Sequence, residues 1–152
     1  MADSVKLIAE NRRARHDYDL LERVEAGIAL TGAEVKSARE GQVQLGQAYA
    51  DFREGEAWLI GASIAEYAQA GNFGHAHDRD RKLLLHRREI DSLYGKVRER
   101  GLTLVPTRMY FKDGKVKVEL ALARGRERID KRRAIADRDA KRQMERALRR
   151  RR

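Results

Sequence analysis

The sequence predicts a mainly β fold braced by packing helices, followed by a strongly basic tail. Three observations carry that expectation. Several segments alternate apolar and other residues with the period of two that gives a strand one buried face; Val24 to Leu30 and Val116 to Leu122 are the clearest. Turn signals sit between such segments, Asp113-Gly114 in one place and Glu54-Gly55-Glu56 in another. Charge is also split along the chain. Arg124 to Arg152 holds 14 Lys/Arg against 5 Asp/Glu, a net of +9, whereas the other 20 basic and 19 acidic residues leave residues 1–123 at +1.

At 152 residues the chain suits one domain with a real core, so the expected division is a domain over 1–125 and a tail over 126–152. Cysteine is absent, which removes disulfides and thiolate metal sites and leaves packing to hold the fold, in keeping with a reducing compartment. No apolar run approaches membrane-spanning length and the N-terminus lacks the apolar core of a secretion signal, so the chain reads as soluble and cytoplasmic. A near-neutral body with a cationic tail points to a polyanionic partner, because each neutralised phosphate releases condensed counterions.

Residues 1–10 read as a loose arm able to add a short edge strand. Asn11, Arg12, Arg13, Ala14, Arg15 and His16 form a basic run without apolar periodicity, suited to phosphate contacts with one ring for stacking, or equally to an exposed lead into a strand. Tyr18 to Leu30 is a long strand with Val24, Ala26, Ile28 and Leu30 on its buried face, and Gly27 marks a bulge or bend. Thr31 and Glu34 have capping-box spacing and Gly41 suits a left-handed end, which brackets a short helix. Val35 and Ala38 pack it, leaving Lys36 and Arg39 together on an open face.

Ala48 to Arg53 and Ala57 to Ile64 form a hairpin whose alternation assigns Trp58, Ile60, Ala62 and Ile64 to the core. Residues 67–81 form a long polar loop. Its His75, His77 and Asp78 lack a further ligand set at a recognisable spacing. A short strand follows at Lys82 to His86. Ile90, Leu93, Tyr94 and Val97 then make one helical stripe closed by Gly101, with Arg87, Arg88, Lys96, Arg98 and Arg100 read first as solvated charge and second as an RNA surface. Leu102 to Phe111 and Lys115 to Arg124 form the second hairpin; Pro106 belongs at an edge or bulge and Lys117 on the outer face.

Beyond Gly125 a weak stripe of Ala136, Ala140, Met144 and Leu148 lies among cations, too little apolar surface for a stable lone helix. The tail is expected to be disordered when free and helical along RNA. No phosphate-cradling glycine loop, Cys/His pair, zinc-protease helix or serine-centred triad is present, so the chain reads as a binding module, with no cofactor and no catalytic residues. About six antiparallel strands with two helices fit an OB-like antiparallel β-barrel, yet periodicity alone leaves other small α+β folds open.

The strings EAGIALTGAEVKSAR, NRRARHDY, RKLLLHRREID, GLTLVP, KVKVELALARGR and DKR, in family-like order and spacing over nearly the whole chain, closely resemble the SmpB family, the SsrA-binding proteins of bacterial trans-translation. The resemblance selects the OB-like barrel. It implies binding to the tRNA-like domain of transfer-messenger RNA and delivery of that RNA to stalled ribosomes, where the tail occupies the empty mRNA channel near the small-subunit decoding centre. It further implies EF-Tu with GTP as an indirect partner through the alanylated RNA, and a monomer. RNA contacts are implied at Asn11, Arg13, Arg15, His16, Glu25, Lys36, Arg39, Leu84 and Lys117, with Gly125 at the exit to the tail. Ile129, Asp130, Lys131 and Arg132 correspond to the tail segment of the decoding centre, where many relatives carry histidine or tyrosine in place of Ile129.

Three other readings compete with that one. A ribosomal or ribosome-assembly protein would share the small barrel and basic tail. An RNA-processing hydrolase would centre on His75, His77 and Asp78 and would need a metal. A general RNA chaperone would bind folded RNAs with a steep salt slope and no preference.

Overall fold

The computed structural model describes residues 5–66, 76–125 and 138–148. Among the described residues up to 125, nine strands and three helices follow in order: β1 Val5–Glu10, α1 Arg12–Asp17, β2 Tyr18–Ile28, α2 Gly32–Arg39, β3 Val43–Gln44, β4 Tyr49–Arg53, β5 Glu56–Ile60, β6 Ser63–Ile64, β7 Arg81–Leu84, α3 Arg87–Arg100, β8 Thr103–Lys112 and β9 Lys115–Gly125. Six strands close a ring in the order β8-β4-β5-β7-β2-β9, because β9 also pairs with β8, and β1 adds to the outer edge of β8. All the pairings are antiparallel. Closure removes most sticky edges, which is the physical basis of the OB-like barrel expected from the sequence.

Both hairpins turn on two residues with positive φ: Asp113 and Gly114 join β8 to β9, and Glu54 and Gly55 join β4 to β5. Their backbone twist matches that of the strands they join. The barrel interior is filled by Leu59, Ile64, Leu83, Leu104, Met109, Val118, Leu120 and Leu122, all nearly inaccessible. Each such side chain contributes roughly 1.5–3 kcal/mol on burial. A smaller cluster of Ala14, Val105 and Ala123, backed by Tyr18 and Leu20, seats α1 against the outside of β8 and β9.

Several local expectations are met in detail. Thr31 accepts from the Glu34 N–H and Glu34 accepts from the Thr31 N–H, closing the capping box of α2, and Gly41 follows at φ +72°. Gly101 ends α3 in the left-handed region. Pro106 sits at a register break between itself and Arg108, as its missing donor requires.

Others are corrected. Residues 12–17 form a helix, which the basic run did not announce; it holds because Asn11 caps it and Ala14 is buried. The bulge in β2 lies at Leu21, between Leu20 and Glu22. Gly27 instead marks a close approach, since a Cβ there would lie 3.2 Å from the Leu84 Cβ. Trp58 faces outward: Ala57 and Leu59 fill the core, paired with Phe52 and Ala50, while Trp58 lies half-buried opposite Asp51 and Lys82. Gly61, at φ +79°, then shifts the phase so that Ala62 and Ile64 point inward as expected. On α3 only Leu93 is buried, and Tyr94 stays exposed with its ring edge-on to Phe52.

Residues 138–148 are helical and every one of them is exposed, Met144 and Leu148 included. Ile129, Asp130, Lys131 and Arg132 lie outside the described residues, as does His75. Among the described residues no helix is long and apolar enough to cross a membrane, and no group of three or more His, Cys, Asp or Glu is placed to hold a metal ion.

Candidate nucleic-acid interface

The outer face of the barrel is built by register. Tyr110 pairs with Lys117, Lys117 with Gly27, and Gly27 with Leu84, so four strands in succession place one residue each in a single row. Alternation turns all four outward, because their neighbours Met109, Val118, Ile28 and Leu83 fill the core. With no side chain on Gly27, the row has a depression at its centre. Glu25, two residues back on β2, stands on the same face. Glu25, Gly27, Leu84 and Lys117 line an open groove of about 710 Å³, which Lys82, Leu85, His86 and Arg87 extend along β7 and into α3. Leu84 is 53% exposed there, an apolar surface of the size that a nucleobase or ribose covers.

Glu25 stands on this face opposite Glu119 of β9, and Glu56 and Glu89 line the same groove farther out. Glu25 Oε2 accepts from the Tyr110 hydroxyl, and Lys112 Nζ lies 3.5 Å from the same oxygen. The Tyr110 hydrogen bond, helped by Lys112 and Lys117, holds the carboxyl below its ordinary value, so it is ionised at neutral pH. Burial and the neighbouring carboxylate push Tyr110 far above an ordinary phenol, so it remains a donor. Arg108 covers the Tyr110 ring at 5.0 Å and bonds Glu119 at 2.5 Å, which fixes the ring from the other side. A carboxylate only accepts, so this position selects base N–H or ribose 2′-hydroxyl groups and repels phosphate.

A second groove of about 590 Å³ gathers Asn11, Arg13, Asp17, Tyr18, Arg124 and Gly125 with Tyr49 and Thr103. Tyr18 pairs with Gly125, so the basic run at the start of the chain and the exit toward the tail are neighbours. Arg13 and His16 both reach Asp17, at 3.2 and 3.0 Å, and Arg15 reaches Glu10 at 3.0 Å. Such exposed pairs are worth about 0–1 kcal/mol and exchange readily for phosphate. His16 and Arg13 draw Asp17 below the ordinary carboxylate range, the His16 hydrogen bond being the larger cause.

Asn11 differs from the other residues of that run. It is 3% exposed, its Nδ2 donates to the carbonyls of Leu45 and Pro106, and its Oδ1 accepts from the Ala14 N–H. Its amide therefore braces α1 against the segment after β3 and against β8 at its register break, instead of reaching outward. Lys36 and Arg39 are exposed on α2, as the helical spacing required. The helix under them is anchored by Glu34, which is fully buried and bonds Arg81 at 2.6 Å and Arg79. Arg81, equally buried, also donates to the carbonyls of Ala62, Arg79 and His77.

A family profile described as SmpB protein matches residues 8–150. The SsrA-binding protein of Anaeromyxobacter dehalogenans is 60% identical over 143 residues, covering 94% of this chain and 88% of the relative. The chain belongs to the SmpB family. The SsrA-binding protein of Sulfurihydrogenibium is 52% identical over 145 residues, covering 95% of each chain. A solved chain from "tmRNA-SmpB: a journey to the center of the bacterial ribosome" is 52% identical with a TM-score of 0.66, covering 77% of this chain and 82% of its own.

Set against the SmpB resemblance, the structure brings Glu25, Leu84 and Lys117 together in the first groove and Asn11, Arg13 and Gly125 in the second. Tyr110, Arg108 and Lys112 are additions that sequence reading missed. One signal could have found the first of them: counting back from the two-residue turn at Asp113-Gly114 sets Tyr110 opposite Lys117. Nothing local links either residue to Glu25.

Proposed function

We propose that this SmpB-family chain binds the tRNA-like domain of transfer-messenger RNA and helps deliver that RNA to stalled ribosomes for trans-translation. The observation that carries the reading is the outer row of Tyr110, Lys117, Gly27 and Leu84 with Glu25 beside it: cation, apolar surface and acceptor face one groove, a combination that suits a folded RNA read by shape and ribose contacts. Family membership supports the choice of RNA. The barrel over 1–125 selects the RNA, with Glu25, Leu84 and Lys117 against unstacked nucleotides and Arg13, Arg15, His16, Lys36 and Arg39 on phosphates. Asn11 acts by holding α1 in place.

The tail over 126–152 enters the vacant mRNA channel, with Ile129, Asp130, Lys131 and Arg132 at the decoding centre and the helix over 138–148 docked along RNA. The protein works as a cytoplasmic monomer, without catalysis, and meets EF-Tu with GTP through the alanylated RNA. Pull-down from lysate followed by RNA sequencing tests the reading: transfer-messenger RNA should dominate. Recovery of ribosomal RNA in its place would favour a ribosome-assembly role. A chain ending at Gly125 should retain preference for the tRNA-like domain in a gel shift, and loss of all binding would move selection into the tail.

A further inference from the structure

We infer that Tyr110 is a positioning residue for RNA recognition, its buried hydroxyl pinning one oxygen of Glu25 so that the other is presented to a ribose or base donor. The inference rests on the RNA-binding reading of the first groove. Three observations carry it. Tyr110 is 4% exposed, whereas the Glu25 side chain is 38% exposed, so a rigid donor holds an accessible acceptor. All the contacts that Glu25 makes among the described residues fall on Oε2, from the Tyr110 hydroxyl and Lys112, leaving Oε1 for a partner. The phenol cannot swing away, because its ring lies under Arg108, which Glu119 holds, and its strand is paired on both sides, with Leu7 and with Lys117.

Tyr110 thus does for Glu25 what a supporting group does for any recognition side chain: it removes rotamers before the partner arrives, so less freedom is lost on binding. Ionisation is secured by the same contact. The charged groups facing Glu25 are Lys112, Lys117 and Glu119, the last standing opposite it across the β2–β9 pair and itself held by Arg108 and Arg23. An ionised acceptor cannot serve a phosphate oxygen, so the position discriminates by chemistry against simple backbone binding and favours 2′-hydroxyl, N–H and amino donors.

The test uses the full chain with the tRNA-like RNA domain at fixed salt. Tyr110→Phe keeps the ring and removes the hydroxyl, and should weaken binding about 5–10-fold, the range expected on loss of one ordinary hydrogen bond. Glu25→Gln should weaken it at least as much, and the double variant should match Glu25→Gln alone. A purely structural role would not move one further readout: the titration midpoint of the Glu25 carboxyl, followed by carbon NMR, should rise in Tyr110→Phe. Unchanged affinity in Tyr110→Phe, or an equal loss in the Glu25→Gln background, overturns the inference. If Tyr110→Phe fails to fold, the parent decides, since an ordinary Glu25 midpoint would show that nothing pins it. If the parent shows no preference for this RNA, the functional reading fails, while the NMR titration still reports on the pinning.

Discussion

Removing the carboxylate of Glu34 strands a buried guanidinium. Glu34 and Arg81 both have fully inaccessible side chains, and three donors converge on that carboxylate: Arg81 Nε at 2.6 Å, Arg79, and the Thr31 N–H at 2.9 Å. In Glu34→Ala the Arg81 guanidinium keeps its carbonyl partners but loses its counter-charge, and an uncompensated buried charge costs about 3–5 kcal/mol. Against a total stability of about 5–15 kcal/mol that is a large fraction. Arg53→Ala supplies the contrast, because its bond to Asp80 joins two exposed side chains and is worth about 0–1 kcal/mol. Urea unfolding of the full chain, followed by the fluorescence of its lone tryptophan, measures both.

Acid adds an independent readout of the same network. Burial pushes the Glu34 carboxyl up, but hydrogen bonds from Arg79, the Thr31 N–H and Arg81 together outweigh it and hold the group below the ordinary glutamate value. A depressed folded value means that the unfolded chain binds the proton more readily. Its contribution is therefore complete above about pH 4.3 and fades as pH falls through the lower folded value. Glu34→Ala should flatten that acid slope. Equal unfolding costs for Glu34→Ala and Arg53→Ala, with unchanged acid slopes, would refute the reasoning.

Four further outcomes are expected. Gly27→Val forces a branched side chain against Leu84, whose Cβ lies 3.2 Å from where the new Cβ would sit, and should cost about 1–3 kcal/mol by thermal unfolding while filling the groove and weakening RNA binding. Asn11→Ala removes a cap and strips the buried carbonyls of Leu45 and Pro106 of a donor, for a loss of about 2–3 kcal/mol in urea unfolding. Lys117→Ala, on the groove wall, should leave stability nearly unchanged and weaken binding to the tRNA-like domain by about 1–2 kcal/mol in a filter-binding assay. Ile129→His puts a stacking ring at the position that the SmpB resemblance assigns to the decoding centre, and should raise peptide tagging on stalled ribosomes.

The expected residues of the interface divide by how far along the chain their partners lie. Lys36 and Arg39 were legible because helical spacing and a capping box are read within nine residues, from Thr31 to Arg39. Lys117 was legible because strand alternation is local. The bracing role of Asn11 was not legible, because its partners Leu45 and Pro106 are 34 and 95 residues away. Trp58 was misjudged because alternation specifies two faces without saying which is inner, and a large aromatic suggested the wrong one. The hairpin register, which sets Ala57 and Leu59 opposite Phe52 and Ala50, decided it.

Period, turn chemistry, caps and the charge split were determined by the sequence alone, because each depends on residues that are neighbours along the backbone whatever the rest of the molecule does. Which strand face is buried, the close approach of Leu84 to Gly27, the Glu34–Arg81 pair and the seat of Glu25 on Tyr110 were decided only by the closed barrel. These contacts join residues up to 85 positions apart, and no local preference favours them until the ring of strands brings their backbones within hydrogen-bonding reach.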